Sequence, residues 1–107
     1  MPTAPGIPWS STPVMVSRDP GGQGGRYRID RPEVRVGRDP TCDVVLAQPT
    51  VSRRHVRFTW DGATLLVEDL RSSGGTFVNG VRVERGVVPP GSLLRLGPLV
   101  EFVLEEG

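Results

Sequence analysis

The 107-residue chain has no lysine, one cysteine and one histidine, and each shortage excludes a class of structure or site. Cys42 has no partner for an internal disulfide, and with His55 it offers too few ligands for a structural zinc site. All 13 basic residues are arginines, which suit carboxylate and phosphate, although a coding bias explains this usage more simply. No metal site and no cofactor is therefore expected.

The chain also has a low net charge and no long apolar run. The formal net charge is +1, only 6% of residues are aromatic, and no apolar run approaches the length of a membrane span. The first residues do not resemble a signal peptide. The basic stretch 52–57 is a candidate for contacts with nucleic acid, but a nearly balanced chain has no general attraction for polyanions. We expect a soluble, cytoplasmic protein with no nucleic-acid or membrane partner.

Glycine and proline are abundant, with 14 and 11 residues. Prolines in residues 1–13 are spaced so that neither helix nor strand can propagate, which predicts a flexible N-terminal arm in which Trp9 could still dock. Residues 14–107 are long enough for one domain with a single core. We therefore divide the chain into an arm, 1–13, and a domain, 14–107.

Within the domain, apolar residues recur at every second position, as in Val56, Phe58 and Trp60, which indicates half-buried strands. The pairs Asp61-Gly62 and Asn79-Gly80 favour two-residue hairpin turns. We predict strands near residues 14–17, 26–30, 33–37, 43–46, 55–60, 64–70, 76–78, 81–83, 92–96 and 99–105. Strands this short and this evenly separated by turns favour an all-β fold of two packed sheets.

Several loops between these strands carry hydroxyl, guanidinium and backbone N–H donors with almost no acidic side chains. They are Gly37-Arg38, Ser52-Arg53-Arg54-His55, Ser72-Ser73-Gly74-Gly75-Thr76 and Asn79-Gly80. Loops held on a rigid sheet often carry binding groups, and donors of this kind suit an anion. The sequence therefore predicts an anion site built from loops.

These blocks, together with Asp43-Val44-Val45-Leu46 and Gly91-Ser92-Leu93-Leu94-Arg95-Leu96-Gly97, resemble the forkhead-associated (FHA) domain in order and spacing. The resemblance covers about residues 14 to 105. It implies an FHA-like β-sandwich of about eleven strands in two sheets, whose loops at one end bind phosphothreonine peptides without catalysis. The implied partner is a phosphothreonine-containing protein, such as a Ser/Thr kinase or its substrate.

The resemblance also implies roles for individual residues. Arg38 and Ser52 are expected to contact the phosphate, and Ser73 stands where the family usually has a hydroxyl with the same role. Arg53 occupies a position that often adds another donor. A phosphate carries about −1.5 to −2 charges and three acceptor oxygens, so a cation with several neutral donors suits it. Structural support of the binding loops is expected from Gly37, His55 and Asn79.

Simpler interpretations exist for two of these residues. Arg38 could be an exposed arginine paired with Asp39 or Asp43 across a turn. His55 lies three residues after Ser52, but no nucleophile elbow and no distant acid accompany the pair, so we expect no enzyme activity. The position of both residues within the ordered blocks favours the binding interpretation for Arg38 and a structural role for His55.

One position departs from the family pattern. Gly74 stands where the family usually has an asparagine that clamps the backbone of the bound peptide. The departure leaves open weak binding, compensation by Arg53 or Arg71, or a phosphate-independent scaffold or assembly role. A further possibility is that Thr3 or Thr12, once phosphorylated, occupies the site of its own chain or of a neighbouring copy, although an inert tail is the simpler interpretation and the one we favour.

Overall fold

The computed structural model describes residues 8–18 and 25–107, which form eleven strands and no helix. The described ranges accordingly contain no helical segment that could cross a bilayer. The strands are β1 (Pro13–Ser17), β2 (Arg26–Arg28), β3 (Glu33–Gly37), β4 (Val44–Val45), β5 (Val56–Trp60), β6 (Leu65–Asp69), β7 (Thr76–Val78), β8 (Val81–Arg82), β9 (Arg85–Val87), β10 (Leu93–Leu96) and β11 (Val100–Glu106).

The strands form two sheets that pack as a sandwich. One sheet has the order β2-β1-β11-β10-β7-β8 and the other the order β4-β3-β5-β6-β9. All neighbouring pairs are antiparallel except β3 and β4, which are parallel. The predicted all-β sandwich of about eleven strands is confirmed.

The core lies between the sheets and follows the alternation seen in the sequence. In β5, for example, Val56 and Phe58 are fully buried while Thr59 is exposed. Full burial of one such side chain stabilises the fold by roughly 1.5–3 kcal/mol. The other fully buried side chains include Met15, Ile29, Val36, Leu65, Val67, Leu94, Leu96 and Leu104.

The turns were predicted with mixed success. Asn79 and Gly80 have φ of 50° and 85°, and Val78 pairs with Val81, so this two-residue hairpin is confirmed. The loop at Asp61-Gly62 instead has four residues, because Trp60 pairs with Leu65. Its geometry is set by the Asp61 carboxylate, whose Oδ1 accepts hydrogen bonds from the N–H groups of residues 63 and 64.

The end of the predicted N-terminal arm packs against the domain. Trp9 is 5% exposed, its Nε1 donates to the Val88 carbonyl at 2.8 Å, and its ring meets Trp60 edge-on. Residues 8–12 therefore pack against the domain, although residues 1–13 were predicted to form a flexible arm. Strand β1 begins at Pro13, one residue before the predicted boundary between arm and domain. The prediction for residues 1–7, Thr3 included, falls outside the described residues.

The two ends of the sandwich carry different elements. Trp9 lies beside the loop between β5 and β6, since its N–H donates to the Ala63 carbonyl. Thr12 lies at that same end, because its carbonyl accepts from Gly107 and β1 pairs Pro13 with Glu106. Three of the four loops predicted to bind an anion follow β3, β4 and β6 at the opposite end, so Thr12 is fixed far from these loops in its own chain.

Candidate functional site

Arg38 directly follows β3 and is held by the loop between β4 and β5. Its backbone N–H donates to the Ser52 carbonyl at 3.0 Å, and its guanidinium Nε donates to the Val51 carbonyl at 3.0 Å. Its side chain is exposed and forms no ion pair within residues 8–18 and 25–107. The terminal nitrogens of the guanidinium are therefore available to an anion.

Arg38 is not paired with Asp39 or Asp43, as the simpler interpretation of this residue would require. Asp43 pairs with Arg31 at 3.1 Å, and Asp39 accepts hydrogen bonds from the backbone and hydroxyl of Thr41. The Thr41 bonds are the main reason why the pKa of Asp39 lies below its ordinary value. Both carboxylates thus have other partners, and neither neutralises Arg38.

Gly37 is required by a close approach rather than by an unusual backbone angle. A Cβ at this position would lie 2.1 Å from the Arg53 carbonyl oxygen, and the φ angle of Gly37 lies outside the left-handed region. The physical reason for a structural role of Gly37 is therefore the close packing of two backbones. This contact fixes the loop that carries Ser52 against the end of β3.

The hydroxyls of Ser52 and Ser73 meet across two loops. Their Oγ atoms are 3.3 Å apart, and the Ser73 backbone N–H donates to Ser52 Oγ at 3.1 Å. A serine oxygen that accepts one hydrogen bond can still donate its own proton. Both hydroxyls can therefore point a proton at an anion placed beside them.

The buried side chain of His55 joins these two loops through hydrogen bonds. It is fully buried, its Nδ1 accepts the Ser52 backbone N–H at 3.1 Å, and its Nε2 lies 2.9 Å from the Gly75 carbonyl. The first bond requires an unprotonated Nδ1, so Nε2 carries the proton and donates to the carbonyl. With both ring nitrogens occupied and no exposed surface, His55 has no atom free for general-base catalysis.

The loop between β6 and β7 is shaped by Asp69. Its Oδ1 accepts hydrogen bonds from the hydroxyls of Ser72 and Thr76, and its Oδ2 accepts the Ser72 N–H at 3.1 Å. Ser72 Oγ in turn accepts the Gly75 N–H at 3.0 Å. This network fixes the backbone on both sides of Ser73.

Asp69 should make stability depend on pH. Burial raises the pKa of its carboxyl, but the hydrogen bonds from Ser72 and Thr76 outweigh burial, so the pKa lies below the ordinary value of 3.8. The ionised form therefore stabilises the folded chain above about pH 4, and this contribution is lost as pH falls through the depressed pKa. We expect Asp69→Asn to lower the free energy of unfolding by about 1–3 kcal/mol at pH 7.

Urea unfolding of both proteins between pH 7 and pH 2 would check this expectation. The difference between them should shrink steadily below about pH 4, because a protonated carboxyl resembles an amide. A difference that stays constant over this range would contradict the proposed role of the Asp69 charge.

Gly74 lies where three loop backbones meet. A Cβ on Gly74 would be 2.8 Å from the Gly97 Cα and 3.6 Å from the Thr50 carbonyl oxygen. The Gly97 N–H donates to the Gly75 carbonyl at 2.9 Å, so the turn between β10 and β11 is bonded to this loop. A side chain at position 74 therefore requires the turn at Gly97 to move.

The predicted binding residues line one open depression of about 350 Å³. Arg38, Ser52, Arg53, Ser73 and Gly74 all contribute to it, and Arg53 is exposed there. Four lining residues were not predicted from the sequence: Pro49, Thr50, Val51 and Pro98. Pro49, Thr50 and Val51 directly precede Ser52 in the same loop, whereas Pro98 reaches the depression from the turn between β10 and β11.

Asn79 has a different role from the predicted one. Its Oδ1 accepts the Leu93 N–H at 2.9 Å, and its Nδ2 lies 3.4 Å from Ser92 Oγ. These contacts join the turn between β7 and β8 to the start of β10, at the end of these strands away from the depression. Asn79 therefore stabilises the distal hairpin, and direct support of the binding loops comes from Gly37 and His55.

Comparison with known families agrees with this arrangement. The model of the FHA domain family matches residues 34–97, from β3 through the end of β10. The chain belongs to the FHA domain family. The matched range contains every residue that we place around the depression except Pro98.

Two curated relatives of this FHA domain are named a regulator and an inhibitor. The chain is 37% identical over 92 residues to the glycogen accumulation regulator GarA of Mycolicibacterium smegmatis, covering 86% of the chain and 58% of that protein. It is 35% identical to the oxoglutarate dehydrogenase inhibitor of Corynebacterium jeikeium, covering 86% of the chain and 63% of that protein. The chain thus spans less than two thirds of the length of these relatives.

Solved FHA domains superpose closely on this one. A structure from a study of phosphothreonine-dependent FHA domain interactions has a TM-score of 0.83 and 30% identity, covering 91% of the chain and 98% of the solved chain. The FhaA FHA domain in complex with the intracellular domain of Rv3910 has a TM-score of 0.79 and 32% identity, covering 89% of the chain and all of the solved chain.

Proposed function

We propose that this FHA domain is a non-catalytic interaction module that binds phosphothreonine in a protein partner. The observation that carries the proposal is the convergence of Arg38, Ser52 and Ser73 from three separate loops on one open depression. The partner is a phosphorylated protein, such as a Ser/Thr kinase or a kinase substrate.

The chemistry of the depression fits a phosphate group. The free end of the Arg38 guanidinium supplies a permanent positive charge and planar paired donors, which match two phosphate oxygens. The hydroxyls of Ser52 and Ser73 supply neutral donors to the remaining oxygens. Charge-assisted hydrogen bonds contribute about 1.5–3 kcal/mol each, so these three groups can supply much of a micromolar affinity, near −8 kcal/mol.

The relatives support a regulatory role without catalysis. Two of them are named a regulator and an inhibitor, and an inhibitory protein acts by binding its target. One superposable FHA structure comes from work on phosphothreonine-dependent interactions. We infer that the present domain acts on its partner in the same manner, by phosphate-dependent contact.

Calorimetric titration with a phosphothreonine peptide library and the matched unmodified library tests this function. We expect the phosphorylated peptides alone to bind at pH 7.5. Their affinity should fall several-fold at pH 5.5, because the second phosphate proton returns with a pKa of about 6. Peptides with Asp or Glu in place of phosphothreonine should bind poorly. Equal affinity for phosphorylated and unmodified peptides would rule out the proposal.

A second candidate is a scaffold that binds partners without phosphate, and Gly74 favours it. Without a side chain at position 74, no amide is present there to hold the peptide backbone. Restoring the amide distinguishes the two functions, but the contact at Gly97 means that any side chain has a cost. We expect Gly74→Asn and Gly74→Ala each to lower the free energy of unfolding by about 1–3 kcal/mol.

The alanine variant is the matched control for that steric cost. If the depression binds phosphopeptides, Gly74→Asn should bind them about tenfold more tightly than Gly74→Ala, because a buried amide adds roughly 1–3 kcal/mol through its hydrogen bonds. Calorimetry on both variants, beside urea unfolding, measures this difference. Identical and undetectable binding by the two variants would favour the phosphate-independent scaffold.

A further inference from the structure

A groove of about 500 Å³ opens between the two sheets, on the side where β2 and β4 form their edges. Its floor consists of core residues, because Leu46 and Phe102 line it and are only 6% and 2% exposed. Tyr27 and Val100, which pack against the same core, line it as well. Among the described residues, none lines both this groove and the depression that contains Arg38. The groove is therefore a separate and largely apolar surface.

Two exposed apolar side chains stand at the groove. In the described ranges, the large apolar residues that are exposed are Val45, Val81, Val87 and Leu99. Val45 and Leu99 both line the groove, and Leu99, at 76% exposed, is the most exposed of the four. Single exposed aliphatic residues are normal on a protein surface, but two of them beside an apolar groove indicate an interaction site.

An exposed leucine beside an apolar groove makes this surface self-complementary. A symmetric dimer uses the same patch of both subunits, so the patch must offer both a projecting group and a place to receive it. In two copies related by a two-fold axis, Leu99 of each copy enters the groove of the other and meets Val45 and Val100. A second copy of this chain thus covers the leucine and fills the groove in one contact.

The charges beside the groove are complementary in the same way. Glu101 lines the groove, and the N–H of exposed Arg18 donates to the Glu101 carbonyl, so the two residues are neighbours. Neither side chain forms an ion pair within residues 8–18 and 25–107. Arg95, opposite Glu101 on β10, instead lies over the Phe77 ring and donates to the Gly97 carbonyl. One positive and one negative group thus remain for a second copy.

We propose that this domain forms a symmetric dimer in which Leu99 of each copy enters the groove of the other, and Arg18 of each copy pairs with Glu101 of the other. Few side chains take part, so the dimer belongs to the weak and transient class of interfaces, with a dissociation constant of about 0.1–1 mM. The dimer does not depend on the proposed phosphothreonine function.

The dimer would also have a consequence for phosphate binding. Pro98 lines the depression and Leu99, the next residue, lies in the interface, so both depressions lie close to the two-fold axis. A partner that carries two phosphothreonines could then occupy both depressions, and the second contact would form at a high effective concentration.

Sedimentation velocity of the full chain between about 0.02 and 2 mM tests the dimer, which should appear as one monomer–dimer equilibrium. We expect Leu99→Asp to raise the dissociation constant at least about tenfold, because a carboxylate would enter an apolar groove. Its melting temperature at low concentration should be retained, since Leu99 is exposed in the single chain.

The matched control is Val81→Asp. It also replaces an exposed aliphatic side chain, 64% exposed, by a carboxylate, but on β8, at the opposite edge of the sheet from β2. Because both variants change the net charge equally, any effect of charge on self-association is shared. The control should keep the wild-type dissociation constant.

A charge exchange tests the orientation of the two copies. Arg18→Glu and Glu101→Arg should each weaken the dimer by about three- to tenfold, because each places like charges together across the interface. The two changes combined restore opposite charges, so the double variant should dimerise about as well as the wild type.

A chain that stays monomeric at about 2 mM would overturn the inference and leave the groove to a partner of a different kind. An equal loss of dimer in Leu99→Asp and Val81→Asp would overturn it too, because the contact would then not involve the groove. Failure of the combined charge exchange to restore the dimer, or growth into larger assemblies, would contradict the two-fold arrangement.

Discussion

Arg38→Ala is expected to weaken phosphothreonine binding by at least about 100-fold, since two charge-assisted hydrogen bonds from the guanidinium contribute about 1.5–3 kcal/mol each. The fold itself should be almost unaffected. Arg38 is exposed and forms no ion pair among the described residues, and its side chain contributes one hydrogen bond, to the Val51 carbonyl. Calorimetric titration and urea unfolding of the same preparation would measure both quantities.

Two further variants sharpen this prediction. Arg38→Lys keeps the charge but loses the planar fork, so it should retain part of the affinity and lose about tenfold. Arg53→Ala should have a smaller effect than Arg38→Ala, because no hydrogen bond among the described residues orients the Arg53 guanidinium, whereas Arg38 Nε is held by the Val51 carbonyl. Full affinity in Arg38→Ala, with the fold intact, would show that the phosphate is held elsewhere.

His55→Ala is expected to lower the free energy of unfolding by about 3–5 kcal/mol, a large part of the roughly 5–15 kcal/mol typical of a domain. The change removes a fully buried ring and leaves the Ser52 N–H without its acceptor. Phosphopeptide binding should fall too, because Ser52 and Gly75 are no longer joined across their loops. Urea unfolding and calorimetry, made on folded protein at low temperature, would measure the two losses.

His55→Asn is the matched control. The asparagine Oδ1 can occupy a place close to that of the imidazole Nδ1 and accept the Ser52 N–H, whereas the bond to Gly75 is lost. Gly75 would still accept from the Gly97 N–H. We therefore expect Asn to recover part of the stability and more of the binding. A loss below about 1 kcal/mol in His55→Ala would contradict the supporting role of the ring.

The sequence predicted those parts of the fold that depend on local patterns. Alternation of apolar residues located the core strands, and the Asn79-Gly80 pair identified its turn because both positions require positive φ. Strand β9, Arg85–Val87, was missed because its central residue is glycine and both flanking side chains are exposed. Neither alternation nor strand propensity marks such a segment.

The docking of Trp9 shows where local patterns fail. The prolines around it predict a chain without regular structure, and residues 8–12 indeed lie outside the strands. What fixes this segment is a hydrogen bond to the Val88 carbonyl, 79 residues away, together with the ring of Trp60. Contacts of this range depend on the folded sandwich and leave no periodic trace in the sequence.

The sequence indicated which residues form the candidate site, but it did not show how the loops that carry them pack together. The ordered blocks singled out Arg38, Ser52 and Ser73, and these residues line one depression. The sequence did not reveal that Gly37 is needed for its contact with Arg53, or that Gly74 faces Gly97. Both facts concern backbones that approach each other from separate loops, which no spacing along the chain encodes.

The central claim is that one guanidinium and two hydroxyls hold the phosphate together, and NMR titration of ¹⁵N-labelled protein tests it most directly. Adding a phosphothreonine peptide should shift the Arg38 Nε–H signal and the Ser52 and Ser73 amide signals together, with one common dissociation constant. The unmodified peptide should leave all three unchanged. Shifts confined to another surface, such as the exposed edge strand β2, would contradict the account.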